Sequence, residues 1–372
     1  ALQRVPLEQR WDIAEALAAV LKDRDERALL RTGKRYLSII SIVVRLSELA
    51  ALPADVMRTP LDRYAANGIF TGTYAGPGRG DIEEGFEKNL AKLYDRADTP
   101  RLSGIQIKAP MYLDSQGTLS PSTGKPFTHI LKPAGTSGFE SLPVIEWIAL
   151  ALGGAAGFAG PAAALVAMPD RMPSALLVER FDIRESLEDR RLIALEDFCS
   201  VLDLPTQAKY DGTMERVAKA VRQLSTAPEE DVLIVIKRAL FAWLIADGDM
   251  HLKNMALLKI AEPGDEQFRS VRLAPLYDAV TTRIFPRLQH DRMALKLNGR
   301  DDHLRRVDFR TFATTAGLKA TDADAAIDDM IQKMKLAAGQ IALPDLPHHG
   351  PEAAAMAARM IEVVRTRIGT LE

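Results

Sequence analysis

The order of apolar and polar positions divides the chain into a helical first stretch, a β-rich middle and a helical second half. Residues 8–24 and 27–50 carry apolar side chains at helical spacing, although the β-branched residues of 37–44 would also suit a strand. Residues 54–67 follow a proline and predict another short helix. Glycine and proline are dense at 74–81, which predicts a loop and the first domain boundary.

Strand-like runs follow this loop, and helical periodicity returns after them. The predicted strands lie at 103–113, 127–132, 163–168 and 174–179, and helices are predicted at 82–95 and 142–152. From residue 193 onward the pattern is mostly helical, and it ends in an alanine-rich helix at 351–368. A small β-rich part followed by a larger helical part predicts an α+β fold.

Composition narrows the classes of function. The 372 residues suit about two domains, and a formal net charge of −2 argues against a protein built mainly to neutralise nucleic acid, while leaving room for a local basic patch. The single cysteine, Cys199, allows no internal disulfide and indicates a reducing, cytoplasmic compartment. The uncharged stretch 148–168 has the length of a membrane span, but its glycine and proline breaks favour a helix end, a turn and a strand.

The polar residues between 249 and 278 have the arrangement that phosphoryl transfer by a kinase requires. Asp249 and Asn254 stand in D-M-H-L-K-N, the D-x-x-x-x-N spacing of a protein-kinase catalytic loop, and Asp278 follows in L-Y-D. A kinase needs a carboxylate to accept the proton of the acceptor hydroxyl, and an Asn and a second Asp to hold magnesium on the nucleotide. Residues 255–260 and 270–276 read as a hairpin that would return Asp278 beside Asn254. The alternative is an acidic turn that merely precedes a hairpin.

Two lysines and a glutamate in the β-rich part are candidates for contact with nucleotide phosphates. Lys132 lies in a predicted strand, where a kinase places its phosphate-binding lysine, and Glu146 on the next predicted helix could orient it through an ion pair. Lys108, in the strand after Gly104, is a second candidate. The alternative for either lysine is a solvent-facing charge.

The segment V-E-R-F-D at 178–182 ends the β-rich part and begins the helical one. Glu179 to Phe181 are placed to form a hinge whose backbone groups and apolar walls could hold adenine. The alternative is an exposed strand end with Phe181 in the core. The G-x-x-x-x-G-K-[ST] motif of Walker-type NTPases and the G-x-S-x-G elbow of hydrolases do not occur, and the histidines lack zinc-ligand spacing.

Six blocks of the sequence resemble, in the same order, the HipA family of bacterial serine/threonine kinase toxins. They are RLSGIQIK (101–108), HILKP (129–133), LVERFD (177–182), EDFCSVLDLPTQAKY (196–210), GDMHLKN (248–254) and LAPLYD (273–278). The likeness covers about residues 96–300. It implies a two-lobed, protein-kinase-like α+β fold, with a small β-rich N-lobe at 96–182 and a larger helical C-lobe at 183–372.

The resemblance also implies the chemistry of the catalytic loop. Asp249 would be the catalytic base, and Asn254 and Asp278 would ligate Mg²⁺. Lys132 would contact the phosphates of ATP.

Three further residues match the parts of the family that enclose the nucleotide. Glu179 and Phe181 match the hinge that holds adenine, and Lys108 belongs to the glycine-containing loop that closes over the nucleotide. In the family this loop carries a serine whose autophosphorylation ejects it from the site and switches the kinase off. Ser103 is the residue here that could serve, since Arg101 occupies the earlier serine position of the Ser-x-Ser-Gly arrangement found in several members.

The first 95 residues depart from the family, because its β-rich N-terminal subdomain is not evident and helical segments stand in its place. This region could be a regulatory or antitoxin-like module, or a divergent part of the N-lobe.

The sequence therefore predicts an ATP- and Mg²⁺-dependent serine/threonine kinase that acts as the toxin of a toxin–antitoxin system. The resemblance suggests a translation-related substrate such as an aminoacyl-tRNA synthetase, a helix-turn-helix antitoxin of HipB type as partner, and contact with DNA only through that antitoxin. One alternative is a DNA-associated regulatory pseudokinase, to which the basic segment 31–45 could contribute. Another is a small-molecule kinase, because kinase-like folds also serve such substrates.

Overall fold

A mixed sheet forms the first lobe of the computed structural model, which describes residues 59–82, 84, 106–123, 125–135, 138–185, 190–261, 265, 267–345 and 350–372. In chain order its strands are β1 (Ala65–Ala66), β2 (Ile69–Phe70), β3 (Thr73–Tyr74), β4 (Ala109–Leu113), β5 (Thr118–Pro121), β6 (His129–Lys132), β7 (Ala163–Val166) and β8 (Ala175–Glu179). Their order across the sheet is β1-β2-β7-β8-β6-β4-β5-β3. Neighbours pair antiparallel except β2 with β7 and β3 with β5, which are parallel.

Both faces of this sheet are covered because its central strands are apolar on both sides. Alternation along β8 sends Leu177 to an outer cluster that includes Leu61 and Phe70, and sends Leu176 and Val178 to the main core. The main-core face packs against helix α1 (Leu142–Ala155), which has Pro143 in its first turn. Since Leu131 belongs to the outer cluster, the next residue of β6, Lys132, points to the side of α1.

Antiparallel strands β11 (Ala194–Asp197), β12 (Ala256–Ile260) and β13 (Ser270–Leu273) form a small sheet beside the helical lobe, and β9 (Ile183–Glu185) pairs with β10 (Arg190–Leu192). The helices of this lobe are α2 (Phe198–Val201), α3 (Met214–Leu224), α4 (Pro228–Ile245), α5 (Arg306–Thr315), α6 (Ala320–Gln340) and α7 (Gly350–Gly369). Helix α4 lies at the centre of the lobe, with apolar side chains buried all round it. It begins at a proline followed by three acidic residues, which suit the positive end of the helix dipole.

Several predictions about elements are confirmed. The chain alternates from a β-rich lobe to a helical one, as the α+β prediction requires, and the hairpin after residue 255 is β12–β13. The uncharged stretch 148–168 forms the end of α1, a turn at Gly157 and strand β7. Among the described helices, none combines the length and the apolar character needed to cross a bilayer.

Other predictions differ from the structure. The short helix predicted at 54–67 is, in its described part, a single 3-10 turn at Leu61–Tyr64 followed by strand β1. The mostly helical pattern predicted from residue 193 begins with strand β11, because a partner strand 60 residues away in the chain pairs with it. The segments 8–50 and 101–105, with Ser103, lie outside the described residues, and the helix predicted at 82–95 is described only at residues 82 and 84.

Candidate active site

A cavity of about 450 Å³ opens between the two lobes, a volume typical of small-molecule sites. The N-lobe side of its lining comes from β6, α1 and the end of β8, and the C-lobe side from residues 206–209, 251–254 and 277–278. Seven residues predicted for the site line it, namely Lys108, Lys132, Glu146, Glu179, Phe181, Asn254 and Asp278. Lys108 and Asp278, which are 170 positions apart in the chain, thus line the same cavity.

The loop after α4 carries Asp249, and hydrogen bonds from neighbouring backbone hold it in place. Helix α4 ends at Ile245, and the next residue, Ala246, has a φ of 56° that turns the chain out of the helix. The Asp247 carboxylate accepts from the backbone N–H of Asp249 (2.9 Å) and of Val280 (3.3 Å). Gly248 donates its N–H to Thr282 Oγ1 at 3.0 Å. The loop is therefore tied to the segment that follows Asp278.

The Asp249 carboxylate is buried and bonded to a tyrosine that sequence reasoning did not select. Tyr210 donates its hydroxyl to Asp249 Oδ1 at 2.7 Å. Burial raises the pKa of Asp249 to about 7, and the negative charge of Asp278 acts in the same direction against the Tyr210 hydrogen bond. A carboxyl group with a pKa near neutrality can accept and release a proton under ordinary conditions.

The Asn254 side chain bonds back to the start of the loop that carries Asp249. Its side-chain Nδ2 donates to the backbone carbonyl of Asp249 at 2.8 Å, which fixes the orientation of the amide. This bond uses the nitrogen and leaves the amide oxygen of Asn254 for another role. An amide oxygen and a carboxylate are the hard oxygen ligands that Mg²⁺ prefers.

Asp278 is the centre of an ion-pair cluster that spans the lobes. Lys132 pairs with both Glu146 and Asp278, and Lys108 Nζ lies 2.7 Å from Asp278 Oδ2. Burial would raise the pKa of Asp278, but the two lysines outweigh burial and hold the pKa well below its usual range. The ion pair between Lys132 and Glu146, predicted from the sequence, is present in the structure, and Asp278 is ionised at any ordinary pH.

The backbone of Asp278 adopts a left-handed conformation with φ of 55°. Asp and Asn enter this region far more readily than other non-glycine residues. The turn directs the chain from Tyr277 back toward the loop at Asp247, whose carboxylate accepts from the backbone N–H of Val280.

The predicted hinge has an aromatic wall on the C-lobe side. The Phe181 and Tyr277 rings lie 5.4 Å apart between centroids, and Tyr277 donates its hydroxyl to the Lys253 carbonyl at 3.0 Å. The backbone N–H groups of Glu179 and Arg180 already donate within the sheet, to the carbonyls of Ala162 and Thr128. The Glu179 carboxylate accepts from Leu61 N–H at 2.7 Å. Phe181 also lines the inter-lobe cavity, so its ring belongs to the cavity wall and not to a separate core.

The sequence analysis did not identify the residues that hold the Asp249 loop in position. Tyr210 and Asp247 hold the Asp249 loop, and His251 packs edge-on against the Tyr210 ring at 5.0 Å between centroids. Burial, and then the charge of Lys209, lower the pKa of His251 to about 3, so its ring is neutral. The one signal available was that Tyr210 ends one of the six matching blocks and Asp247 directly precedes another.

A second cavity, of about 770 Å³, is lined in part by the residue before Asp249 and by the Asp249 partner Tyr210. Tyr210 and Gly248 belong to its lining, whereas Lys209 and His251 line the inter-lobe cavity. Neighbours of Asp249 in the chain thus line both cavities, although Asp249 itself belongs to neither lining. The remaining walls come from residues 211–213 and 286–296.

Comparison with known families gives a match over most of the chain. A family model described as "HipA-like C-terminal domain" matches residues 101–338, which is more than half of the sequence. The chain belongs to the HipA-like C-terminal domain family. The predicted family resemblance is therefore confirmed.

Two relatives of this HipA-like chain come from one rhizobial strain. It is 31% identical over 230 residues to "Putative kinase Y4mE" of Sinorhizobium fredii (strain NBRC 101917 / NGR234), covering 58% of this chain and 51% of that protein. It is 27% identical over 194 residues to "Putative kinase Y4dM" of the same strain, covering 49% and 44%. The HipA-like chain thus spans about half the length of these relatives.

Among solved structures, HipA of Shewanella oneidensis MR-1, determined with HipB and its operator DNA, matches with a TM-score of 0.60. The match covers 77% of this chain and 70% of that one at 16% identity. At this identity the similarity concerns the fold, and it confirms the predicted two-lobed HipA-like α+β architecture.

Proposed function

We propose that this HipA-like chain is an ATP- and Mg²⁺-dependent kinase that phosphorylates a serine or threonine of a protein. The observation that carries the proposal is that Lys132, Asn254 and Asp278 line one cavity between the lobes, and that Asn254 also bonds to the backbone carbonyl of Asp249. These residue types in this arrangement are those that position and neutralise a transferred phosphoryl group.

The proposed mechanism assigns a separate task to each of the site residues. Mg²⁺, when bound by Asn254 and Asp278, would neutralise charge on the ATP phosphates. The acceptor hydroxyl oxygen forms its bond to the γ-phosphorus while the bond to the β,γ-bridging oxygen breaks and its electron pair leaves with ADP. The hydroxyl proton passes to the Asp249 carboxylate, whose pKa of about 7 suits a proton acceptor.

Lys132 and Lys108 would exchange partners when ATP binds. Lys132 would stay paired with the buried carboxylate of Glu146. Its ammonium group can therefore exchange Asp278 for a phosphate oxygen and still have a counter-charge. Lys108 is about half exposed, and its release from Asp278 frees the carboxylate oxygen Oδ2 for a metal ion. The nucleotide would then occupy the inter-lobe cavity, with adenine beside Phe181 and Tyr277.

The acceptor would approach Asp249 from the second cavity, which is reached past Tyr210. Its walls carry charged and polar side chains of both signs, including Arg287, Asp291 and Lys296. Such a surface suits a polypeptide segment, which brings hydrogen-bonding backbone of its own. The family resemblance supports a translation-related protein, such as an aminoacyl-tRNA synthetase, as the source of that segment.

The same resemblance supports autophosphorylation at Ser103 and a HipB-type antitoxin as partner. The structurally similar Shewanella protein was determined with HipB and operator DNA. For this chain we propose contact with DNA only through such an antitoxin. The notion of an N-terminal region at 1–95 apart from an N-lobe at 96–182 needs correction, because strands β1 to β3 at residues 65–74 belong to the same sheet as β4 to β8. We propose an N-lobe that includes these strands and a C-lobe at 183–372.

The deciding experiment is transfer of labelled γ-phosphate from Mg-ATP, with the modified residues mapped by mass spectrometry. Asp278→Asn should abolish transfer and keep the fold, since Asn also accepts a left-handed backbone. Asp203→Asn is the matched control, because Asp203 is exposed and has a φ of 56°. Label on a protein serine or threonine in the wild type and the control alone would support the proposal. Equal transfer by Asp278→Asn would contradict the metal assignment.

A further inference from the structure

A third cavity, of about 460 Å³, lies in the helical lobe and shares no lining residue with the inter-lobe cavity. It is formed by the end of α4, the residues before α5 and the end of α7. Its lining consists of Trp243, Arg283, Asp302, His303, Leu304, Arg305, Arg367 and Thr370. We call it the arginine cavity. None of its residues has a part in the proposed phosphoryl transfer.

Positive charge exceeds negative charge in this lining. Three arginines face a single carboxylate, that of Asp302. Arg283 Nη1 lies 3.2 Å from Asp302 Oδ1, whereas Arg367 Nη2 lies 4.0 Å from the same oxygen, beyond hydrogen-bond distance. The two guanidinium groups therefore share one carboxylate oxygen, and the net charge of the lining residues is positive.

Arg367 is held rigidly in place although its charge is poorly compensated. Its guanidinium stacks on the Trp243 ring at 3.8 Å from the centroid and donates to the Trp243 carbonyl. The residue is only 7% exposed. Burial and the like charge of Arg283 lower the pKa of Arg367 to about 10, so an added anion would relieve a real electrostatic cost.

The Trp243 indole gives a second, independent sign of a missing acceptor. Its Nε1–H is buried and has no hydrogen-bond partner within the described part of the chain. Buried donors in folded proteins are nearly always satisfied, if not by protein then by water or an ion. An acceptor bound beside Trp243 would account for this donor.

We propose that the arginine cavity binds a small phosphate or phosphomonoester dianion, held between Arg283 and Arg367. Guanidinium groups match the oxygens of phosphate in paired, charge-assisted hydrogen bonds, and Arg367 is already fixed for this role. The exposed Arg305 stands at the mouth and adds attraction. The volume exceeds that of inorganic phosphate, which leaves room for the organic part of an ester.

Fluorescence of Trp243 provides a direct test in the full chain. The protein is titrated with inorganic phosphate and, separately, with O-phosphoserine at constant ionic strength, and Trp243→Phe assigns the signal against Trp11 and Trp147. We expect a saturable change for at least one ligand. A preference for phosphate indicates a free anion as the occupant, and a preference for O-phosphoserine indicates an ester. No saturable change with either ligand would overturn the proposal.

Variants separate a specific site from general attraction. Arg283→Gln should weaken binding at least about tenfold, since it removes a charged hydrogen-bond donor. Arg365→Gln on the exposed side of α7 is the control and should bind as the wild type does. If Arg283→Gln does not fold, the exposed Arg305→Gln replaces it, with an expected loss of several-fold. Unchanged affinity in the folded variants would refute the site.

Asp302→Asn gives a test of opposite sign. If the cavity is built for an anion, removing its one carboxylate should tighten phosphate binding, because Asp302 competes for Arg283 and Arg367. If the arginines serve only to hold Asp302, the same change should leave phosphate without effect on Trp243. The second outcome would count against the proposal.

Discussion

Asp249→Asn should stabilise the nucleotide-free protein at alkaline pH while abolishing phosphoryl transfer. The folded pKa of Asp249 is raised from 3.8 to about 7, chiefly by burial. A carboxyl group with a raised folded pKa favours folding when protonated and opposes it when ionised. Its contribution is therefore favourable at low pH and is lost as pH rises through about 7. Asn has no charge to lose, and its side-chain oxygen can still accept from Tyr210.

The size of the effect follows from the shift. A change from 3.8 to about 7 corresponds to a cost of about 4 kcal/mol once the group is ionised in both states. At pH 5 only about 1.5 kcal/mol of that cost is present, because the folded carboxyl is still protonated. The advantage of the variant should therefore grow by about 3 kcal/mol between pH 5 and pH 8.5. Asp247 adds in the same direction, since burial and the charge of Asp249 raise its pKa.

The measurement is urea unfolding of wild type and variant at pH 5 and pH 8.5, without nucleotide and with a chelator present. Asp211→Asn is the control, because Asp211 is exposed and its loss should change the free energy of unfolding by less than about 0.5 kcal/mol. A pH-independent difference would refute the assignment of the shift to Asp249. So would a wild type that is the more stable protein at pH 8.5.

Three further substitutions test other parts of the structure by urea unfolding and by the transfer assay. Lys132→Met should destabilise by about 3–5 kcal/mol, because it leaves the buried Glu146 carboxylate without its ion-pair partner. An effect below about 1 kcal/mol would contradict the buried pair. Gly248→Ala should reduce transfer at least about tenfold, since its Cβ would lie 2.1 Å from Asp291 Oδ2; full activity would show that the loop can shift. Arg238→Met should stabilise by about 1 kcal/mol or more, because the buried guanidinium has no hydrogen-bond partner in the described residues; a lower urea midpoint would reveal a partner.

The parts of the site that could be predicted from sequence are those encoded over short distances. Asp249 and Asn254 lie in one loop, and the hairpin that returns Asp278 is formed by neighbouring strands. The pair of Lys132 and Glu146 joins adjacent elements of the N-lobe. In each case the apolar periodicity of the flanking elements limits where the polar side chain can lie.

The parts that could not be predicted depend on contacts between distant segments. Tyr210 reaches Asp249 across 39 residues, and no local pattern marks it as a donor. Strand β2 is two residues long and pairs with β7 almost a hundred residues later, so its propensity could not distinguish it from a helix end. The role of Lys108 as a partner of Asp278 likewise needs the two lobes to be brought together.

The sheet of the N-lobe has a consequence for what can fold as an independent unit. Strands β2 and β3 hydrogen-bond to β7 and β5, and Leu61 and Phe70 cover the outer face. At the other end of the chain, α7 contributes Met360 and its neighbours to the main core. A fragment cut to the family match at 101–338 would therefore expose apolar surface at both ends. The region that matches the family is therefore smaller than the region whose side chains pack together.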